Sequence, residues 1–330
     1  MKRPIDKVRD GAASFDLNPS DDRSDIAGMI SFADRLFIIK GKGIYEYKSA
    51  DDIDPGRTNI RVPNTAQRVL SVGADTPWVG SVILTAEGLF TKSQLIERID
   101  CDQALTLVFE IAQHIARMYE VQDEYVKTQN DAASSFDRTI RKDRSVILPT
   151  VANVPARCKE LLQKADHVQR DLLKLVSLFY GKGERGWEGL RSKIDGEPRI
   201  DQFAEFLADY VPFILTVRHA RNAAEHPNDV MGVDVQDFSV DASRALHPPM
   251  IEVRHHKTPV PRMPVEHFMS QVCEGFVSTV EMLMVFLCAR HIRQEGAMPV
   301  QVMVLPEEQR RSGVRFCYGV MIGGQLVPMS

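Results

Sequence analysis

The chain has 330 residues, of which 44% are hydrophobic and 26% charged, with a net charge of -4 at pH 7. This is the composition of a soluble globular protein, long enough for one large domain or two modest ones. The acidic balance excludes a surface coated in positive charge for indiscriminate nucleic-acid binding, but leaves room for a local basic cleft. Five scattered cysteines without a C-x-x-C pair point to reduced thiols in a cytoplasmic protein. The start, Met-Lys-Arg-Pro-Ile-Asp, lacks the apolar run of a secretory signal. The most apolar window, Phe276 to Ile292, holds Glu281 and Arg290 and reads as a buried helix, so no membrane partner is expected.

Residues 1–25 are polar and rich in Asp, Ser and Arg, the texture of a flexible leader. Leu36 to Lys40 and Ile44 to Lys48 are β-like runs around Gly41-Lys42-Gly43, which predicts a hairpin. Turn signals follow at Asp51 to Gly56 and Pro63 to Thr65, and Val79 to Leu84 reads as a strand or the start of a helix. Residues 26–98 therefore form a small mixed α+β module.

From Asp102, a plausible N-cap, Leu105, Val108, Ile111, Ala112, Ile115 and Tyr119 recur at helical spacing. A second helix spans Ala156 to Tyr180 and stops at Gly181-Lys182-Gly183. A short helix covers Trp187 to Ile194. A third long helix starts near Ile200 and carries Arg218, Arg221 and Asn222 near its end. Val235 to Val240 and Met250 to His256 read as strands of an insertion, and a fourth long helix spans Val265 to Gln294. The tail turns β-like at Val300 to Leu305, Val314 to Ile322 and Gln325 to Pro328, with Gly323-Gly324 as a hairpin turn. The expected fold is mainly α. It is an antiparallel helical bundle over 99–296, with small β additions at the N- and C-terminal ends, the latter a hairpin over 297–330, and a β-like insertion.

The most informative stretch is Arg221-Asn222-Ala223-Ala224-Glu225-His226, followed by Pro227. It sets a fixed cationic fork, an amide and an imidazole within about one and a half helical turns. Pro227 disfavours the α conformation at His226, so the helix should end there and present the imidazole to a cleft. A third long helix ending in Arg-Asn-x-x-x-His, then a loop and a final long helix, resembles the HEPN superfamily. Its ribonucleases carry an Arg followed by a polar residue and a His four to six positions beyond. By layout the resemblance covers 100–296; by identity it covers a handful of residues.

The resemblance implies a metal-independent endoribonuclease that acts as a homodimer, with Arg221, Asn222 and His226 of both protomers lining one groove and no cofactor. A ribose 2′-hydroxyl attacks the neighbouring phosphate, His226 moves the proton, Arg221 stabilises charge on the phosphoryl oxygens and Asn222 orients the phosphate or the histidine. It also implies RNA, tRNA included, as substrate, and a toxin or antiviral-defence role with an antitoxin, trigger or partner subunit. One branch of the superfamily carries a Tyr two positions after the His. Asn228 stands there, which does not support modification at that site.

The alternative from another class is a non-catalytic helical scaffold that binds a nucleotide, RNA or a protein partner. Arg221 and Glu225 are spaced for a surface ion pair, and cations near a helix C-terminus are favoured by its dipole. His219 and the basic run Arg254, His255, His256 and Lys257, with Arg218, are candidate RNA contacts. His255-His256 with His247 and His267 is not read as a metal site, since consecutive residues on a strand point to opposite faces and no zinc-type spacing accompanies them. Asp51, Asp52 and Asp54 read as solvated loop residues, and Arg310, Arg311 and Arg315 as a small basic patch.

Overall fold

A computed structural model describes residues 2–11, 17, 19, 22–137, 139–181, 186–197, 202–294, 299–323 and 325–329. The elements in chain order are α1 (Pro4–Gly11), β1 (Gly28–Phe32), β2 (Arg35–Ile39), β3 (Ile44–Lys48), α2 (Ala50–Ile53), β4 (Thr65–Leu70), α3 (Pro77–Val79) and α4 (Thr85–Leu89), the last two joined by a π turn at Gly80–Leu84. Then come α5 (Cys101–Ser134), α6 (Val154–Tyr180), α7 (Gly186–Asp195) and α8 (Gln202–Glu225). Strands β5 (Gly232–Gln236), β6 (Ser239–Val240), β7 (Leu246–His247), β8 (Met250–Arg254) and β9 (Val260–Pro264) lead into α9 (Val265–Arg290). The chain finishes with β10 (Val300–Val304), β11 (Phe316–Ile322) and β12 (Gln325–Pro328).

The mainly helical bundle expected above is corrected. About 49% of the chain is helix and 20% is strand in four sheets, a mixed α and β architecture. Strand β1, an exposed edge strand and the insertion were misread. The strand β4, Thr-Ala-Gln-Arg-Val-Leu, is exposed along most of its length and gives no apolar alternation, yet it pairs with β3 as the edge of a four-stranded antiparallel meander. The insertion after α8 is more than a hairpin: β5, β8 and β9 form a three-stranded sheet and β6 pairs with β7.

The chain divides into two units, Met1–Ala112 with Leu283–Ser330, and Gln113–Met282. In the first, the core of the meander is aromatic: Phe37 lies 4.9 Å from Phe32 and 4.5 Å from Phe109, ring centre to ring centre. Val79 to Leu84 is helical, and Gly80 lies so close to the backbone of Ser312 that no Cβ would fit. Tyr318 of β11 donates its hydroxyl to the Leu89 carbonyl at 2.7 Å, inside the core. Where a flexible leader is expected, Pro4–Gly11 is helical, and Arg57 pairs with its Asp6 and Asp10. Asp100, not Asp102, caps α5, accepting from the Gln103 amide at 2.9 Å.

In the second unit α6 packs on α8. The stripe Leu161, Leu162, Ala165, Val168, Leu172, Leu175, Val176 and Phe179 of α6 is buried, and Gly181 closes the helix at φ +82°. Phe213 of α8 fills the space over Gly275 of α9, which a Cβ would block. Lys182-Gly183, Ile200 and Gly324, named above as stop, start and turn signals, lie outside the described residues. The helix Val265–Arg290 is long and apolar enough to cross a membrane, and 61% of that stretch is buried in the fold. It ends at Arg290, short of Gln294.

Candidate functional site

Helix α8 carries both groups of candidate residues, on adjacent turns. Its sequence is helical through Pro212, whose missing N–H is tolerated within the helix, and it stops at Glu225. The His226 amide still donates to the Asn222 carbonyl at 2.8 Å, so His226 stands at the very end of the hydrogen-bonded spiral, exposed to solvent. Pro227 prevents the next turn, as its ring requires.

The first group faces α6. Arg221 pairs with Glu225 at 2.8 Å, donates to the Asn222 side-chain oxygen at 3.2 Å and brings its Nε within 4.0 Å of Asp166. That Nε is buried and donates to nothing. Glu225 also accepts from Gln163 of α6 at 2.6 Å. The Gln163 bond holds the Glu225 carboxyl below its ordinary range against a smaller desolvation effect, with the charges of Arg221, Lys159 and His226 acting in the same direction as the bond. Asp166 is buried, and accepts from Gln169 and pairs with Arg170. Arg221 and Asn222 are thus in direct contact. Among the described residues, His226 makes no side-chain hydrogen bond to either.

The second group lies one turn nearer the N-terminus of α8, against α7 and the turn after β8. His219 Nδ1 lies 2.9 Å from the Thr258 hydroxyl, and its ring stacks on that of His255 with centres 4.2 Å apart. The His256 ring lies 4.7 Å from His255. Strand alternation does not separate these two histidines, because β8 ends at Arg254 and both sit in the turn. Burial, followed by the nearby His255, Arg218, Lys257 and His256, pushes His219 below its ordinary value. Burial and the charges of His256 and Lys257 do the same to His255. Arg218, His219, Lys257 and Thr258 border a groove of about 750 Å³. Arg254 is not part of this group; it turns away to pair with Asp234 at 2.7 Å.

Reasoning from sequence missed Asp166, Gln163 and Thr258. Asp166 and Gln169 carry a readable signal: both fall within the buried stripe of α6, where a polar residue needs a partner. Thr258 carries none. Among the described residues, no group of three His, Cys, Asp or Glu side chains could hold a metal ion. Comparison of the chain with protein-family models, with curated proteins and with solved structures finds no match. The resemblance to HEPN ribonucleases thus gains nothing beyond the residues and helix layout that suggested it.

Proposed function

We propose that the end of α8 is a metal-independent RNA-cleaving site, working in a homodimer. His226 takes the proton from a ribose 2′-hydroxyl as the 2′-oxygen bonds to the adjacent phosphorus. The bond from phosphorus to the 5′-oxygen breaks, and the partner protomer's histidine returns a proton to that leaving oxygen. Arg221 bears the charge on the phosphoryl oxygens, and Asn222 holds the guanidinium in place. The observation that carries this reading is that an oriented guanidinium and an exposed imidazole stand within about one and a half turns of each other at a helix end, with Arg218 and Lys257, which have no ion-pair partner among the described residues, close by on the adjoining groove. A positioned acid or base contributes about 10²–10⁴ in rate, and an electrostatic donor a similar amount.

One observation favours the scaffold instead. Glu225 occupies one edge of the Arg221 fork, so a phosphate must displace it or share the guanidinium. The purified protein and His226→Ala, given tRNA and total RNA with EDTA present, separate the two. Cleavage by the wild type alone supports the enzyme. Equal cleavage by both contradicts it, and binding without cleavage by the wild type favours the scaffold.

A further inference from the structure

The groove beside α8 is asymmetric in charge. On the α8 side, Arg218 and Lys257 are exposed and have no ion-pair partner among the described residues, and His219 is held in place by Thr258. On the α7 side stand Glu188 and Asp195, with Arg191 tied to Asp195 at 3.7 Å. Between them the wall is apolar: Val211, Pro212 and Leu215. An extended polyanion meets repulsion at the α7 side. A ligand that carries an anionic group, a flat apolar body and hydroxyl donors on three arms of one small ring satisfies all three walls. The volume of about 750 Å³ lies in the range of small-molecule sites.

We propose that this groove binds a single nucleotide unit, its phosphate monoester held by Arg218, Lys257 and His219, its base against Pro212 and Leu215, and its ribose hydroxyls donating to Glu188 or Asp195. The phosphate takes charge-assisted bonds from two otherwise unpaired cations, the strong class of hydrogen bond. His219 is oriented by its Thr258 contact and stacked on His255, so it needs little reordering to donate. The inference does not depend on cleavage at Arg221 and His226, whose side chains are not in the lining. The nucleotide has two sources: a free mononucleotide or the phosphorylated 5′ end of an RNA strand.

The test is calorimetric titration of the full-length protein with AMP, adenosine, and a short oligoribonucleotide with and without a 5′-phosphate. The account expects AMP to bind at least about tenfold more tightly than adenosine, and Arg218→Ala/Lys257→Ala to lower AMP affinity by at least about tenfold, a loss consistent with one or more charge-assisted bonds. Both side chains are exposed, so the double variant should keep its fold, which circular dichroism checks. If AMP fails but the 5′-phosphorylated strand binds better than its hydroxyl form, and the double variant loses that preference, the strand end is the source and the site stands. Equal binding of AMP and adenosine, equal AMP affinity in the double variant, or no binding by any of the probes overturns it. A loss of RNA cleavage in His226→Ala with AMP binding unchanged would show that the two sites are separate.

Discussion

Two adjacent turns of one helix differ in how their cations are used. Facing α6, Arg221 is tied to Glu225 and Asn222 and lies near buried Asp166. One turn back, Arg218 is exposed and has no ion-pair partner among the described residues, and His219 lies 2.9 Å from the Thr258 hydroxyl. The difference teaches that the same residue types do two jobs. A guanidinium inside a network is oriented at the cost of being partly neutralised. One outside a network is free to meet a ligand but is held only loosely.

The comparison is broken most severely at the tied side. Arg221→Ala is expected to lower RNA cleavage by about 100- to 1,000-fold, measured as initial rates in EDTA with excess RNA. A drop of less than about threefold would show that the guanidinium does not touch the reacting phosphate. Asp166 supports that side from below. Leu172→Ala, in the same buried stripe of α6, should cost about 2–5 kcal/mol in denaturant unfolding, because it empties a packed position. A loss under about 1 kcal/mol would mean that α6 repacks freely.

Glu225→Gln sharpens the contrast from the opposite direction. It removes a charge beside Arg221 while keeping a polar group, and an ion pair reached by solvent contributes little, so the melting temperature should barely change. RNA affinity should rise by about threefold in a filter-binding titration, as the fork is released for phosphate. Unchanged affinity would mean that the clamp is not in competition with RNA.

The smallest effect comes from the open side and depends on pH. Burial lowers His219 and His255 below their ordinary value of 6.5. On acidification the unfolded chain takes up the proton first. Stability is therefore complete above about pH 6.5 and declines as the pH falls toward the lowered folded values. The His219 ring is faced by Arg218 of α8 and by His255, His256 and Lys257 of the turn, all of which disfavour its protonation. The melting temperature should drop between about pH 7.5 and pH 5.5, and His219→Asn should shrink the drop. Equal drops in both proteins would assign the acid sensitivity to another group, of which His114, also lowered by burial, is the nearest in kind.

The long helices were readable because their apolar stripes recur at helical spacing, and the end of α8 was readable because a proline follows a histidine. The sheets were readable only in part: β2, β3, β8 and β10 to β12 fall on β-like runs, whereas β1, β4 and β9 were not recognised. Strand β4 is exposed and shows no alternation, and the insertion's third strand, β9, opens Val-Pro-Arg-Met-Pro, whose two prolines argue against a strand although it lies at a sheet edge where they are tolerated. Arg221 and Glu225 were readable as a spaced pair, because residues four apart on a helix are neighbours on its surface. The partners from α6 and Thr258 were not, because contacts across 39 to 62 residues of chain leave no local pattern. Arg254 looked like its basic neighbours and instead pairs with Asp234, a contact that only the register of β5 with β8 creates.

The central claim is that the end of α8 cuts RNA through the ribose 2′-hydroxyl. The most direct measurement is the chemistry of the ends left by the purified protein on matched RNA and DNA strands with EDTA present. The account predicts RNA products ending in a 2′,3′-cyclic phosphate and a 5′-hydroxyl, no cut in DNA, and neither product from His226→Ala. Cleavage of the DNA strand, or RNA products with a 5′-phosphate and a free 3′-hydroxyl, would contradict it.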